Sequence, residues 1–364
     1  VDENNLPVAG ATVKLGTETV ASNARGAFRF QQINISKNNG FVTVSRPGYF
    51  NGYRSFVTMA GRTNNLRIKL LPKITAGTFN AATGGTVLLS SGAKVVLPSN
   101  AIVDASGNAY TGTVKVAMVW LNPKVADLAS TVPGDLRGIN TDGYERVLET
   151  YGMLGVELTN ASGQILKIAS GKTAEITMPL PSALQASAPS VIPLWHFDEV
   201  KGRWMQEGSA SRVGNNYVGT VAHFSFWNLD LPYNGVNLCV TVQNQNHIPL
   251  GGIMVAIHRT TPAGASGYGI TDSLGNVCGR VPKDEPLVLD LLDECGSVIY
   301  TQNIGPYAGD ASVNIAANIV GITITGKILN CSNSPVTNGC AYISTGQGYL
   351  YTSSVNSGGI FTLV

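Results

Sequence analysis

Charge is scarce in this sequence of 364 residues. Lys and Arg number 24 and Asp and Glu 22, so that 13% of the residues are charged, against roughly 25% in an ordinary globular protein. A formal net charge of +2, with no run of Lys or Arg, is too small for a nucleic-acid-binding surface. No apolar stretch approaches the ~18 residues of a membrane-spanning helix. Composition therefore excludes a nucleic-acid partner and a membrane span in this segment.

Cysteine is absent from the first 238 residues, and this asymmetry predicts modules of different kinds. Cys331 and Cys340 flank a turn-rich segment and are candidates for a small disulfide loop. Cys239 and Cys278 are candidates for a second bridge, which leaves Cys295 over, and the sequence alone leaves the pairing open. With no CxxC motif and no histidine nearby in sequence, we predict neither a metal site nor a cofactor.

The pattern that is present is a period of two in hydrophobicity, which is typical of β-strands. β-branched residues alternate with polar ones between clusters of Gly, Asn, Pro and Asp, for example at 11–16, 113–120, 155–160, 174–179 and 321–329. Helical spacing is confined to two short segments, 125–130 and 182–187. The predicted fold class is all-β, built of tandem β-sandwich modules.

Many of the 42 glycines fall in an internal repeat. Each copy has a Pro-led turn with Gly, then a strand, then an Asp/Asn-x-x-Gly turn that leads into an apolar strand. The three copies use residues 7–11 with 23–28, 249–252 with 271–277, and 335–339 with 356–361. Gly and Asn stand where a hairpin turn needs a positive φ.

These turn motifs resemble those of the carboxypeptidase regulatory-like domain, a seven-stranded sandwich of transthyretin-like topology. The resemblance covers residues 1–72 and 233–318, while 319–364 is similar to the start of a further copy. It implies accessory modules without catalytic residues. Because the last copy stops in mid-domain, we expect the chain to be a section of a longer protein.

The segment 73–232 resembles a different domain. Its markers are 85–87 (GTV) ahead of 96–98 (VLP), then 148–152 (LETYG) and 221–227 (VAHFSFW). These motifs are similar to the ZU-type β-domain of zonula-occludens proteins, netrin receptors and ankyrins. They are closer still to the version in cartilage intermediate layer proteins and many bacterial surface proteins.

The tripeptide His223-Phe224-Ser225 is the sharpest chemical candidate. Some ZU-type domains cut their own chain between Phe and Ser in this motif. The resemblance implies His223 as base, Ser225 as nucleophile and Phe224 as donor of the attacked carbonyl, in an N-to-O acyl shift. The alternative interpretation is that 222–227 is the closing strand of the domain, with Phe224 and Phe226 on one face and His223, Ser225 and Trp227 on the other.

The remaining candidates are weaker. His196 lies in a strand-like WHFD segment, where cross-strand packing is its expected role. The acidic turns 104–108, 140–143 and 272–276 hold too few oxygen ligands for an EF-hand-type calcium loop and are interpreted as Asx turns. Five tyrosines in or near loops are candidates for stacking on sugar rings: Tyr49, Tyr53, Tyr144, Tyr349 and Tyr351.

The sequence therefore predicts a non-enzymatic, extracellular, modular β-protein with a structural or adhesive role, such as a surface stalk, layer or filament component. The resemblances imply a cell surface, that of a Gram-negative bacterium, and protein partners, either other surface proteins or copies of the chain itself. Two alternatives stay open. One is a ZU-type module that cleaves itself between Phe224 and Ser225. The other is a carbohydrate-binding accessory region of a larger surface protein, with a glycan as ligand.

Overall fold

The computed structural model describes residues 1–37, 39–125, 128–260, 265–293, 296–319, 324–344 and 350–363. The all-β prediction is confirmed: the described residues form strands β1 to β28, one helical turn, α1 (Leu128–Thr131), and one 3₁₀ turn (Ser182–Leu184). These two turns overlap the two predicted helical segments, 125–130 and 182–187. No helix in the described part of the chain is long and apolar enough to cross a membrane.

The first sheet has four antiparallel strands in the order β2-β1-β3-β4. They are β1 (Thr12–Leu15), β2 (Glu18–Ala21), β3 (Gly40–Ser45) and β4 (Gly52–Phe56). Alternation turns Val13 and Val42 into the core, where the irregular segment 23–37 contributes Phe28, Phe30 and Ile35. The resemblance implied seven strands in 1–72, and the described part of this region has four. The apolar residues of the irregular segment cover the core without pairing as a strand.

The central sheet has thirteen strands. They are β5 (Thr75–Asn80), β6 (Gly85–Leu88), β7 (Lys94–Leu97), β8 (Ile102–Val103), β9 (Thr113–Leu121), β10 (Arg137–Ile139), β11 (Glu145–Thr159), β12 (Ile165–Ile168), β13 (Ala174–Pro179), β14 (Val191–Asp198), β15 (Arg203–Val213), β16 (Asn216–Val221) and β17 (Phe226–Tyr233). The main path runs β5-β9-β11-β17-β14-β15-β16-β13-β7-β6. A bridge between Asn80 and Gly84 joins the two ends of this path. The sheet thus curls back on itself around a core that includes Tyr151, Tyr217 and Trp227.

The second sandwich follows directly. Its strands are β18 (Gly235–Asn244), β19 (Met254–Arg259), β20 (Ala265–Ile270), β21 (Asn276–Pro282), β22 (Leu287–Leu292), β23 (Val298–Ile304) and β24 (Ala311–Ala317). They form one sheet in the order β21-β18-β24 and another in the order β20-β19-β22-β23. Alternate residues of both sheets, among them Leu238, Val240, Leu289 and Ile315, fill the space between them. Seven strands is the number that the resemblance implies.

The last part of the chain contains β25 (Ile324–Lys327), β26 (Cys340–Ser344), β27 (Leu350–Ser354) and β28 (Ile360–Leu363). β25 pairs with β28 and β26 with β27, all antiparallel.

Cys239 and Cys278 form a disulfide across β18 and β21, where they stand directly opposite each other with their Cα atoms 4.1 Å apart. The predicted bridge between Cys331 and Cys340 is not formed, because Cys331 is an exposed free thiol. Its turn is closed instead by the Asn330 side chain, which accepts hydrogen bonds from the backbone N–H groups of Ser332 and Ser334. Cys295 lies outside the described residues.

The repeated turn has the same geometry in all three copies. The side-chain oxygens of Asn23, Asp272 and Asn356 each accept the N–H groups of the residues two and four positions later. The glycine three positions later has a positive φ, 75° at Gly275 and 73° at Gly359. The carbonyls of these two glycines accept hydrogen bonds from the N–H groups of Val242, in β18, and of Ile328, the residue after β25. The predicted repeat is therefore a conformational one.

Gly275→Ala should destabilise the second sandwich far more than a positive φ alone explains. An added Cβ at Gly275 would lie 2.2 Å from the Val242 carbonyl oxygen, whereas at Gly143, with φ of 82°, it would meet nothing within 4 Å. We expect Gly143→Ala to cost about 1 kcal/mol for the left-handed backbone, and Gly275→Ala about 3 kcal/mol once the clash is added. Urea denaturation followed by circular dichroism measures both. Equal losses would contradict the packing account.

Candidate functional site

The tripeptide His223-Phe224-Ser225 lies in a bend between β16 and β17. The interpretation of 222–227 as one continuous strand is therefore wrong. The chain leaves the strand conformation at 222–225 and resumes it at Phe226. From there Phe226 and Trp227 face opposite sides of β17, and each side is buried in a different core. Phe226 packs edge-on against Phe50 beneath the first sheet, with ring centroids 5.7 Å apart, while Trp227 lies in the core of the central sheet.

The contacts around the tripeptide differ from those that self-cleavage requires. The Ser225 hydroxyl would have to face the carbonyl of Phe224 with His223 beside it as base. Instead Ser225 Oγ donates a hydrogen bond to the carbonyl oxygen of Phe226, at 3.0 Å. His223 Nε2 lies 3.2 Å from an Oε2 atom of Glu207.

His223 belongs to a three-residue group on the central sheet, which we call the histidine cluster: His196, Glu207 and His223. His196 Nδ1 lies 3.1 Å from His223 Nε2 and 3.8 Å from Glu207 Oε2. One potential ligand atom from each residue thus points into the same small volume.

Strand register brings the histidine cluster together. His196 of β14 stands opposite Met205 of β15, and Glu207 is two residues further along β15 on the same face. On its other side His196 stands opposite Trp227 of β17. The bend before β17 then returns His223 to this position.

Trp227 supports the cluster from beneath. Its side chain is fully buried, and its Nε1–H donates a hydrogen bond to the backbone carbonyl of His223, at 3.1 Å. The ring centroids of His223 and His196 lie 5.0 and 5.7 Å from that of Trp227. Both imidazoles therefore rest on one rigid aromatic side chain.

The electrostatics favour a neutral His196. Burial, and then the neighbouring His223, lower the pKa of His196 below its usual value. At neutral pH its ring is uncharged, which leaves one nitrogen with a free lone pair.

Sequence reasoning assigned only packing to His196 and overlooked Glu207. The pairing register of the hairpin formed by β14 and β15 could have identified Glu207. A turn at 199–202 pairs Asp198 with Arg203 and hence His196 with Met205, which places Glu207 on the face of His196. The approach of His223 has no such local signal, since it depends on a bend after β16.

The other predicted features have simpler outcomes. The side chains of Asp104, Asn140 and Asp272 accept hydrogen bonds from backbone N–H groups of their own turns, which confirms the Asx interpretation.

The predicted sugar-stacking tyrosines differ in their surroundings. Tyr53 is buried in an aromatic cluster, so the predicted sugar-stacking role is wrong for this residue. Tyr144 is exposed, with the Arg146 guanidinium over its ring. Tyr349 lies outside the described residues, as does the side chain of Tyr351.

Comparison with known sequences gives a partial likeness. No family model matches the chain. It is 30% identical over 116 residues to cartilage intermediate layer protein 2 of Homo sapiens, covering 31% of this chain and 10% of that protein. It is 34% identical over 107 residues to cartilage intermediate layer protein 1 of Sus scrofa, covering 28% of this chain and 17% of the relative's length. The predicted likeness to these proteins is confirmed for under a third of the chain, while the regulatory-like and ZU-type assignments stay predictions.

Comparison with solved structures finds bacterial surface proteins at low similarity. A streptococcal ancillary pilin has a TM-score of 0.20 and 7% identity, over 51% of this chain and 84% of the pilin. The major pilin subunit BcpA of Bacillus cereus has a TM-score of 0.19 and 8% identity, over 87% of this chain and 96% of BcpA. TM-scores this low do not establish a common fold.

We expect the purified chain to run as one full-length band on a denaturing gel, because the Ser225 hydroxyl donates to the Phe226 carbonyl and His223 Nε2 lies against Glu207. Ser225→Ala should run identically. Two fragments in the wild type that disappear in Ser225→Ala would show that the chain reaches a second, cleaving arrangement.

Proposed function

We propose that the chain is a non-enzymatic structural part of an extracellular or cell-surface protein, in which successive β-units are held in a fixed arrangement. The units are those predicted from sequence, 1–72, 73–232, 233–318 and 319–364. The observation that carries the proposal is a buried ion-pair junction between the second and third units. Such an element suits a stalk, layer or filament, where the orientation of each unit has to be maintained along the chain.

The connection between the central sheet and the second sandwich is short. β17 ends at Tyr233 and β18 begins at Gly235, so a single residue, Asn234, joins them. The Asn234 carbonyl accepts a hydrogen bond from the N–H of Lys283 in the second sandwich. A linker of this length gives the two units little freedom to rotate.

The junction consists of Arg259, Glu149, Tyr233 and Glu285. Arg259 of β19 reaches across to Glu149 of β11, with Nη1 and Oε2 3.1 Å apart. Its guanidinium also donates to the Tyr233 hydroxyl, lies 4.4 Å from the centroid of that ring, and pairs with Glu285 at 3.0 Å. The Glu149 side chain is 0% exposed and that of Arg259 15%. Separating the units would remove this guanidinium from a carboxylate that is fully buried in the docked arrangement.

The first sheet is fastened to its neighbours in a similar way. The buried guanidinium of Arg54 donates to the carbonyls of Gly134 and Ala129 in the central unit. Burial lowers the pKa of Arg54 to about 10, so it remains charged at neutral pH. The side-chain amide of Asn65 donates to the carbonyl of Thr271 in the second sandwich, at 2.8 Å. The first unit thus contacts both the central unit and the second sandwich.

The relatives support a structural role, since both are named for an intermediate layer of cartilage. We place this chain on a cell surface, with other surface proteins or copies of itself as partners. The Gram-negative location, glycan binding and self-cleavage stay predictions from the sequence.

Arg259→Ala should lower the free energy of unfolding by about 3 kcal/mol, because the buried Glu149 carboxylate would lose the guanidinium that pairs with it. Combining it with Glu149→Gln should restore part of the loss, since an amide is neutral. Lys94→Ala is the matched control: it breaks the solvent-exposed pair with Glu175 and should cost less than about 1 kcal/mol. Chemical denaturation of the four proteins measures these differences. Equal losses in the Arg259 and Lys94 variants would contradict a role for the junction.

Small-angle X-ray scattering tests the proposed function. The wild-type profile should fit one arrangement of the first three units, and Arg259→Ala should broaden the distribution of interatomic distances at its long end. Lys94→Ala should leave the profile unchanged. A wild-type profile that requires an ensemble of unit orientations would overturn the proposal.

A further inference from the structure

We propose that His196, Glu207 and His223 form a binding site for a divalent first-row transition ion of the zinc class, with one coordination position open to solvent. The site goes beyond the proposed structural function and does not depend on it.

The spacing of the three atoms fits tetrahedral coordination. With metal–ligand bonds of about 2.1 Å, two ligand atoms of a tetrahedron are about 3.4 Å apart. The three separations in the histidine cluster are 3.1, 3.2 and 3.8 Å, which bracket this value. A point about 2.1 Å from all three atoms lies about 0.7 Å out of their plane, as in a tetrahedron, and leaves the fourth position on that side.

The donor set selects the class of ion. Two imidazole nitrogens and one carboxylate are ligands that suit Zn²⁺ and its neighbours, whereas Ca²⁺ and Mg²⁺ prefer oxygen throughout. Two His and one Glu with a fourth position left over is a known pattern for zinc sites that keep an exchangeable ligand.

Hydrogen bonding within the cluster does not account for its geometry as well as an ion does. With a hydrogen on His223 Nε2, one N–H faces both His196 Nδ1 and Glu207 Oε2; with the hydrogen on His196 Nδ1 instead, His223 Nε2 turns a lone pair toward the Glu207 carboxylate. His196 Nδ1 in turn lies 3.8 Å from the same carboxylate oxygen. A cation at the centre would satisfy all three atoms at once.

The site is also rigid and accessible. His196 and Glu207 stand on paired strands, and Trp227 fixes the backbone of His223 and contacts both rings. The side chains of His196, Glu207 and His223 are 23%, 45% and 41% exposed, so an ion can enter and a water molecule can complete its coordination.

The test is direct binding of Zn²⁺ and Co²⁺ to the full chain, stripped of metal with EDTA and with its thiols blocked by iodoacetamide. Isothermal titration with Zn²⁺ should give one site per chain, and Co²⁺ should produce the visible absorption of a four-coordinate complex. Glu207→Gln and His223→Gln should each weaken Zn²⁺ binding at least ~100-fold, since removing even a supporting partner of a ligand costs 10–100-fold. Both side chains are partly exposed, so these variants should fold, which circular dichroism verifies.

His258→Gln is the matched control. His258 also contacts a carboxylate, Asp290 at 2.9 Å, but belongs to no cluster of three or more ligand-type side chains among the described residues. Its loss should leave Zn²⁺ affinity unchanged. The proposal is overturned if the wild type binds no Zn²⁺, if Glu207→Gln and His223→Gln bind as the wild type does, or if only His258→Gln weakens binding.

Discussion

The buried carboxylate of Glu149 is the constraint on which the arrangement of the molecule depends. A fully desolvated carboxylate costs several kcal/mol unless a cation and hydrogen bonds compensate for the lost water. Its cation, Arg259, comes from the second sandwich, and its hydrogen bond from the Tyr233 hydroxyl. Burial and the Glu149 charge raise the pKa of Tyr233, which keeps the hydroxyl protonated as a donor. Glu149 of the central sheet therefore has this guanidinium as a partner only when the second sandwich is docked as it is here.

The same strand that supplies Tyr233 also organises the histidine cluster at its other end. β17 begins with Phe226 and Trp227, whose side chains enter two different cores, and it ends at the junction. Its middle holds Asp230, whose pKa is raised well above the usual value because the side chain is fully buried. Because Phe226, Trp227 and Asp230 are all buried, a shift of β17 in register would move these side chains out of their sites. The histidine cluster and the junction thus share one element, β17, which contacts the first through Trp227 and the second through Tyr233.

Local pattern predicted much of this fold. The alternation of Val13 and Leu15 or of Val156 and Leu158 predicted strands, and the Asp272-to-Asn276 turn was predicted from its Asx and Gly positions. What the sequence did not reveal depends on which strands become neighbours. Tyr53 looked like a loop tyrosine and is buried, because Phe197 from a strand far along the chain packs on it. Arg259 and Glu149 are 110 residues apart, and only the docking of two units makes them partners. The register of the β14–β15 hairpin could have placed Glu207 beside His196. No local pattern could have placed His223 there, because its position depends on the bend after β16.

One histidine cannot serve both chemistries that its surroundings suggest. Self-cleavage needs an imidazole free to take the proton of the Ser225 hydroxyl. A bound ion would take the lone pair of His223 Nε2, and even without an ion that atom lies against Glu207 and His196. Trp227 reinforces this preference, because it contacts the His223 ring and holds its backbone carbonyl on the side of the cluster. Metal binding and cleavage therefore compete for His223, and every described contact of its side chain favours binding.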